Sequence, residues 1–133
     1  MKAIVLQEGG ELQVDTDYPR PQPGPGEVLL RVHTAGICMT DVHIVHGHFP
    51  VPTPRVLGHE LSGIVTALGE GVPGTWLGAA VGISPARFCG TCAACRRGHP
   101  ELCANFECLG NTHDGGFAEY AVARASQLVP LDR

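Results

Sequence analysis

Over residues 27–34, Val28, Leu30 and Val32 alternate with Leu29, Arg31 and His33, the period of two that a half-buried strand requires. Residues 2–6 are apolar and β-prone, and 12–15 alternate Leu, Gln, Val and Asp, so the two are predicted to pair as a hairpin around Gly9-Gly10. Residues 56–68 read as one long strand in which Gly58 and Gly63 allow a bulge or a close backbone approach. A short apolar strand is predicted over 78–83. Period two resumes at 115–122, and a brief strand follows at 127–130. Four prolines at 19, 21, 23 and 25 cannot donate ladder hydrogen bonds, which makes 19–26 an extended, stiff surface connection. After Gly36, Thr40 or Asp41 is placed to cap a short helix running to about His46.

Composition supports a mainly β reading. The chain has 133 residues, enough for one domain and too few for two, and no internal repeat. With 18 Gly, 11 Pro and only 17% charged residues it suits a turn-rich β fold, and 44% hydrophobic content argues against disorder. A net charge of -4, with Lys2 the only lysine and no basic run, argues against nucleic acid as a partner. The apolar start, 1–6, is too short for a leader and meets Glu8, while no stretch of about 18 apolar residues offers a membrane span. The expectation is a cytoplasmic protein, where six cysteines are metal ligands or free thiols rather than disulfides.

Candidate chemistry concentrates in the cysteines. Cys89, Cys92, Cys95 and Cys103 are separated by two, two and seven residues, a spacing that lets four sulfurs reach the corners of a tetrahedron around zinc. Such a site is closed to substrate and is read as structural, folding a lobe over 87–110; Arg96-Arg97 inside it would offset part of the thiolate charge. An iron–sulfur cluster is the rival, although the bacterial ferredoxin spacing places the fourth cysteine three residues on. Cys38 and His59 are weaker signals by themselves, since a lone Cys is commonly a buried small hydrophobe and a lone His a hydrogen-bonded strand residue. Their neighbours favour ligation: Asp41 could accept the other ring N–H of His59, and Glu60 would lie beside the same metal. His46 and His48 are loop histidines that could line a cleft, His99 and His113 are structural or exposed, and Cys108 is a buried free thiol.

The blocks Cys38-Met39-Thr40-Asp41-Val42-His43, Gly58-His59-Glu60-Leu61-Ser62-Gly63-Ile64-Val65, the four-cysteine lobe and Asp114-Gly115-Gly116-Phe117-Ala118-Glu119-Tyr120, in this order, resemble the catalytic domain of zinc-dependent alcohol dehydrogenases of the medium-chain superfamily. The resemblance spans essentially the whole chain and implies a GroES-like, partly open β barrel with short helices and a zinc lobe. It implies a catalytic zinc on Cys38 and His59, with Glu60 beside it or swinging onto it, and Asp41 supporting the histidine. Thr40 would contact the substrate alcohol and His43 would form the outer end of a proton relay. Zinc as a Lewis acid would let an alcohol give up its proton near neutral pH and pass hydride to a nicotinamide, the product being an aldehyde or ketone.

The chain departs from that family in three places. No Gly-x-Gly-x-x-Gly follows a strand, so the NAD or NADP site is expected in a Rossmann domain outside this chain, together with the usual third zinc ligand, and the isolated chain is expected to lack turnover. Gly78-Ala79-Ala80-Val81 stands where the family usually carries Gly-Asp-Arg-Val, which removes an ion-pairing capacity. Met39 occupies a position that in some members contacts the cofactor pyrophosphate, and a thioether makes no charged contact. A second reading from a different class is a standalone zinc-binding module without catalysis, which binds a partner through the face a cofactor domain would cover.

Overall fold

The computed structural model describes residues 1–131; of the domain expected over 1–133, the last two positions lie outside the described residues. The predicted hairpin forms: β1 (Ala3–Leu6) pairs antiparallel with β2 (Leu12–Asp15), in register Ala3 to Asp15 and Leu6 to Leu12. The clearest alternating segment becomes β3 (Glu27–Gly36), followed by helix α1 (Met39–Val45). Neither Thr40 nor Asp41 is its N-cap. Cys38 holds that position, and Asp41 serves the cap from inside the first turn, its Oδ2 accepting the Cys38 N–H at 2.9 Å.

The long strand expected over 56–68 is broken. β4 (Arg55–Val56) pairs with β1, whereas β5 (Glu60–Leu68) pairs with β3 and with β6 (Ala80–Ile83). One continuous strand could not serve both sheets. Gly58, at φ +92°, turns the chain between them, a backbone conformation that costs a residue with a Cβ about 1–2 kcal/mol. The expected strand over 115–122 is likewise displaced: its ladder is β9 (Tyr120–Arg124). Residues 115–117 instead lie along Val56-Leu57-Gly58, where Gly115, Gly116 and Phe117 donate to the carbonyls of Val56, Gly58 and Leu57 at 2.8, 2.8 and 3.0 Å. Phe117 then accepts from Ile4 and Glu119 from Val32, so this segment stitches the two sheets together.

The larger sheet has the order β10-β6-β5-β3-β9, with β10 (Leu128–Pro130) at one edge; the smaller has β2-β1-β4. The Ala79-Ala80 departure leaves the β6 ladder intact on both sides. Sequence periodicity gave no sign of a two-stranded ribbon of β7 (Ala86–Arg87) and β8 (Glu107–Cys108), which closes the cysteine lobe at its base, or of helix α2 (Ala93–Arg96) within the lobe. No closed barrel forms among the described residues, and none of their helices is long and apolar enough to cross a membrane.

The main core joins Val28 and Leu30 of β3 to Leu61, Val65, Val81, Ile83, Leu109, Ala121, Ala123 and Leu128. Leu29, assigned by alternation to the polar face with Arg31 and His33, is 2% exposed, because β3 is covered on both faces at this point. A second apolar cluster of Leu6, Ile44 and Leu57 seats α1 against β1 and the turn that carries Gly58. Fully burying each such side chain is worth about 1.5–3 kcal/mol, so the helix and the Gly58 turn are firmly placed relative to one another.

Candidate functional site

The four-cysteine lobe brings its thiols together. The sulfurs of Cys89, Cys92, Cys95 and Cys103 all lie within 4.8 Å of one another, as four ligands of one ion must. Local backbone causes this. Cys92 N–H points at the Cys89 sulfur (3.3 Å), Cys95 N–H at that of Cys92 (3.5 Å) and Cys89 N–H at that of Cys103 (3.4 Å). Backbone N–H donated first by Thr91 and then by Cys92 holds the Cys89 thiol down at about 5, and the Cys95 N–H lowers that of Cys92. Cys95 is pushed up to about 12, by desolvation first and then by the neighbouring thiols of Cys92 and Cys103. Four sulfurs gathered this closely, three of them facing backbone N–H donors, fit a structural zinc. Arg96 and Arg97 are exposed at the lobe surface.

An ionic network that sequence spacing could not reveal anchors the lobe to the main sheet. Arg87 contacts Glu27 at 2.7 Å and Glu107 at 3.2 Å, and Arg124 approaches Glu107 at 3.8 Å. Glu27 and Arg87 lie 60 positions apart, so only the assembled fold makes them neighbours.

The second group is Cys38, His59 and Glu60, whose ligand atoms also lie within 4.8 Å of one another. They meet because of strand register. β3 and β5 pair antiparallel and end with Gly36 opposite Glu60, so the residues just beyond that end, Cys38 on one chain segment and His59 on the other, face each other. Asp41, 4% exposed, ties the two segments from behind: Oδ2 accepts Cys38 N–H, and Oδ1 accepts Gly58 N–H at 3.3 Å. The same Oδ1 stands 3.7 Å from His59 Nδ1, longer than a hydrogen bond, and that buried nitrogen has no hydrogen-bond partner. A thiol, a carboxylate and an imidazole with a nitrogen left over form a donor set that fits a divalent transition metal.

The Thr40 hydroxyl lies 3.6 Å from the Cys38 sulfur, and His43 is exposed one turn further along α1. Against this helix opens an apolar cavity of about 360 Å³, lined in part by Ile37, Asp41, Val45, His46, Leu57 and Phe117. His46 therefore does line a cleft, and His48 is exposed beside it. Cys108 belongs to neither thiol group; it is half-buried, with its thiol raised by burial. His99 is exposed and pairs with Glu101 at 3.1 Å, while desolvation lowers the pKa of the half-buried His113.

Known proteins are similar to this chain in sequence and in fold. A sorbitol dehydrogenase of Halalkalibacterium halodurans is 41% identical over 96% of this chain and 38% of its own length. An alcohol dehydrogenase, RspB, of Escherichia coli CFT073, solved in complex with NADH, superposes with a TM-score of 0.92 at 40% identity, covering 100% of this chain and 39% of that one. A cobalt- and zinc-bound thermostable alcohol dehydrogenase of Pyrobaculum aerophilum superposes with a TM-score of 0.86 at 34% identity, over 100% of this chain and 42% of that one. The chain thus spans about two fifths of the length of the relatives it matches. The model of the alcohol dehydrogenase GroES-like domain matches residues 24–133, from the proline-rich connection through both cysteine-bearing groups, and the chain belongs to that family.

Proposed function

We propose that this chain is the zinc-ligating catalytic domain of a dehydrogenase that oxidises an alcohol to an aldehyde or ketone, with hydride passing to NAD or NADP held by a Rossmann domain outside residues 1–133. The convergence of Cys38, His59 and Glu60 at the open end of the β3–β5 ladder, beside an apolar cavity, carries this reading. Cys38 and His59 supply two ligands. Glu60, exposed at the rim, is free to approach the ion or withdraw. Zinc bound there would supply Lewis acidity that lowers the pKa of an alcohol hydroxyl. Asp41 holds the backbone of both ligand segments and faces the unpartnered ring nitrogen of His59. As Thr40 Oγ1 takes the alcohol proton it releases its own toward His43, three residues along the same helix face, and His43 passes a proton to solvent. The four thiols of Cys89, Cys92, Cys95 and Cys103 would hold a second, structural zinc that fixes the lobe.

Metal content and one substitution test the reading. The purified chain is expected to retain close to one zinc on the four thiols, with the Cys38/His59 site only partly filled; two fully occupied, chelator-resistant zincs would contradict the incomplete ligand set. With the chain joined to the cofactor domain of a homologous sorbitol dehydrogenase, Thr40→Val should depress turnover and leave metal content unchanged. Unaltered turnover would remove Thr40 from the proton path.

A further inference from the structure

The end of α1 carries a feature that the dehydrogenase reading does not need. The helix stops in a Schellman turn: His48 N–H donates to the His43 carbonyl at 2.9 Å, Gly47 N–H donates to that of Ile44 at 2.9 Å, and Gly47 sits at φ +75°. In this motif the residue after the glycine commonly packs an apolar side chain against the one five positions earlier. Here both positions are histidine. The turn consequently holds two imidazoles against each other, ring centroids 5.7 Å apart and tilted by 40°, with Nδ1 facing Nδ1 at 3.5 Å. His46 adds a third ring, centred 6.1 Å from that of His48. All three are exposed.

We propose that His43 and His48 form a surface site for a divalent transition-metal ion, with zinc as the best fit. Two nitrogens bound tetrahedrally to one zinc at about 2.0–2.1 Å stand about 3.4 Å apart, close to the separation the turn already imposes. Because the backbone hydrogen bonds of the turn fix the positions of the two Cβ atoms, less freedom is lost on binding than for two unrelated surface histidines, and the remaining coordination positions go to water. The site is distinct from both thiol-containing groups and stands whether or not the dehydrogenase reading does. Where His43 is also the outer end of the proton path, a cation held here withdraws its nitrogen from proton transfer and slows turnover.

The test uses the zinc-replete chain titrated with Zn²⁺ by calorimetry, beside histidine NMR. The unsubstituted chain should take up one more zinc than His48→Ala, with the zinc retained on dialysis equal in the two. Gly47→Ala keeps both imidazoles but strains the turn, and its added Cβ meets no atom within 4 Å, so it should bind the additional ion about tenfold more weakly. In the unsubstituted chain, added Zn²⁺ should shift the ring resonances of His43 and His48 together. Equal uptake by the unsubstituted chain and His48→Ala, or resonance shifts confined to other histidines such as His59 or His99, would overturn the proposal. Undiminished affinity in Gly47→Ala would overturn its preorganisation.

Discussion

Asp41→Asn is the most informative single change, because it preserves shape while removing an acceptor that two backbone segments share. The carboxylate accepts from Cys38 N–H on one oxygen and from Gly58 N–H on the other, in a position 4% exposed. An amide has one acceptor oxygen. Whichever way it turns, its NH₂ faces one of these N–H groups, and that donor is left buried without a partner. A hydrogen bond to a charged group is worth about 1.5–3 kcal/mol, and an unsatisfied buried donor costs about 1–3 kcal/mol, so the unfolding free energy should fall by about 2–4 kcal/mol. Chemical denaturation monitored by the fluorescence of Trp76 reads this directly. Because the same residue sets the spacing of Cys38 and His59, zinc affinity at that pair should drop by about 10–100-fold, measured by chelator competition, while the four-thiol zinc is unaffected. An Asp41→Asn protein with the denaturation midpoint and the second-site affinity of the unsubstituted chain would refute the view that one buried carboxylate positions both ligand segments.

Three further outcomes are expected. Removing metal with a strong chelator should release the lobe alone: amide exchange over 88–106 accelerates while β3 and β5 keep their protection, and equal protection with and without chelator would count against a metal-held lobe. Tyr18 donates its hydroxyl to Asp114 at 2.7 Å, and its pKa is raised to about 12, by burial first and then by that carboxylate. Its contribution to stability is therefore fully present below the ordinary tyrosine value near 10 and is lost as pH rises through about 12; Tyr18→Phe should cost about 0.5–1.5 kcal/mol at neutral pH and remove this alkaline loss, and an ultraviolet titration showing Tyr18 ionising near 10 would contradict it. Gly115→Ala would drive a Cβ into the carbonyls of Gly58 and Leu57, backbone that cannot yield cheaply, and should destabilise by about 1–3 kcal/mol in thermal unfolding; a neutral result would mean that the Gly58 turn moves freely.

β1, β2, β3, β6 and β10 were legible because alternation and apolar runs are local properties, and so was the four-thiol lobe, whose ligands lie within fifteen positions of one another. The break at Gly58 was not, since a run such as Val56 to Leu68 looks the same whether it serves one sheet or two. Cys38 as N-cap escaped the usual rule because the cap is completed by Asp41 from the third helical position. The pairing of Cys38 with His59 could be suggested by residue type and resemblance. Its physical cause, the Gly36 to Glu60 end of a ladder, exists only after β3 and β5 find their register. The Glu27, Arg87, Glu107 and Arg124 network is beyond any local rule for the same reason.

The two-residue ribbon at the base of the lobe has a consequence for how the chain can change. With Ala86 opposite Cys108 and Arg87 opposite Glu107, the lobe leaves and re-enters the body at one doorway. Everything from Phe88 to Phe106 is thus a detachable insert: lengthened, shortened or replaced by a tight turn, it would leave the five-stranded and three-stranded ladders with their registers unaltered. The four-cysteine lobe and the sheets that bring Cys38 and His59 together can therefore diverge separately, each answering to its own constraint.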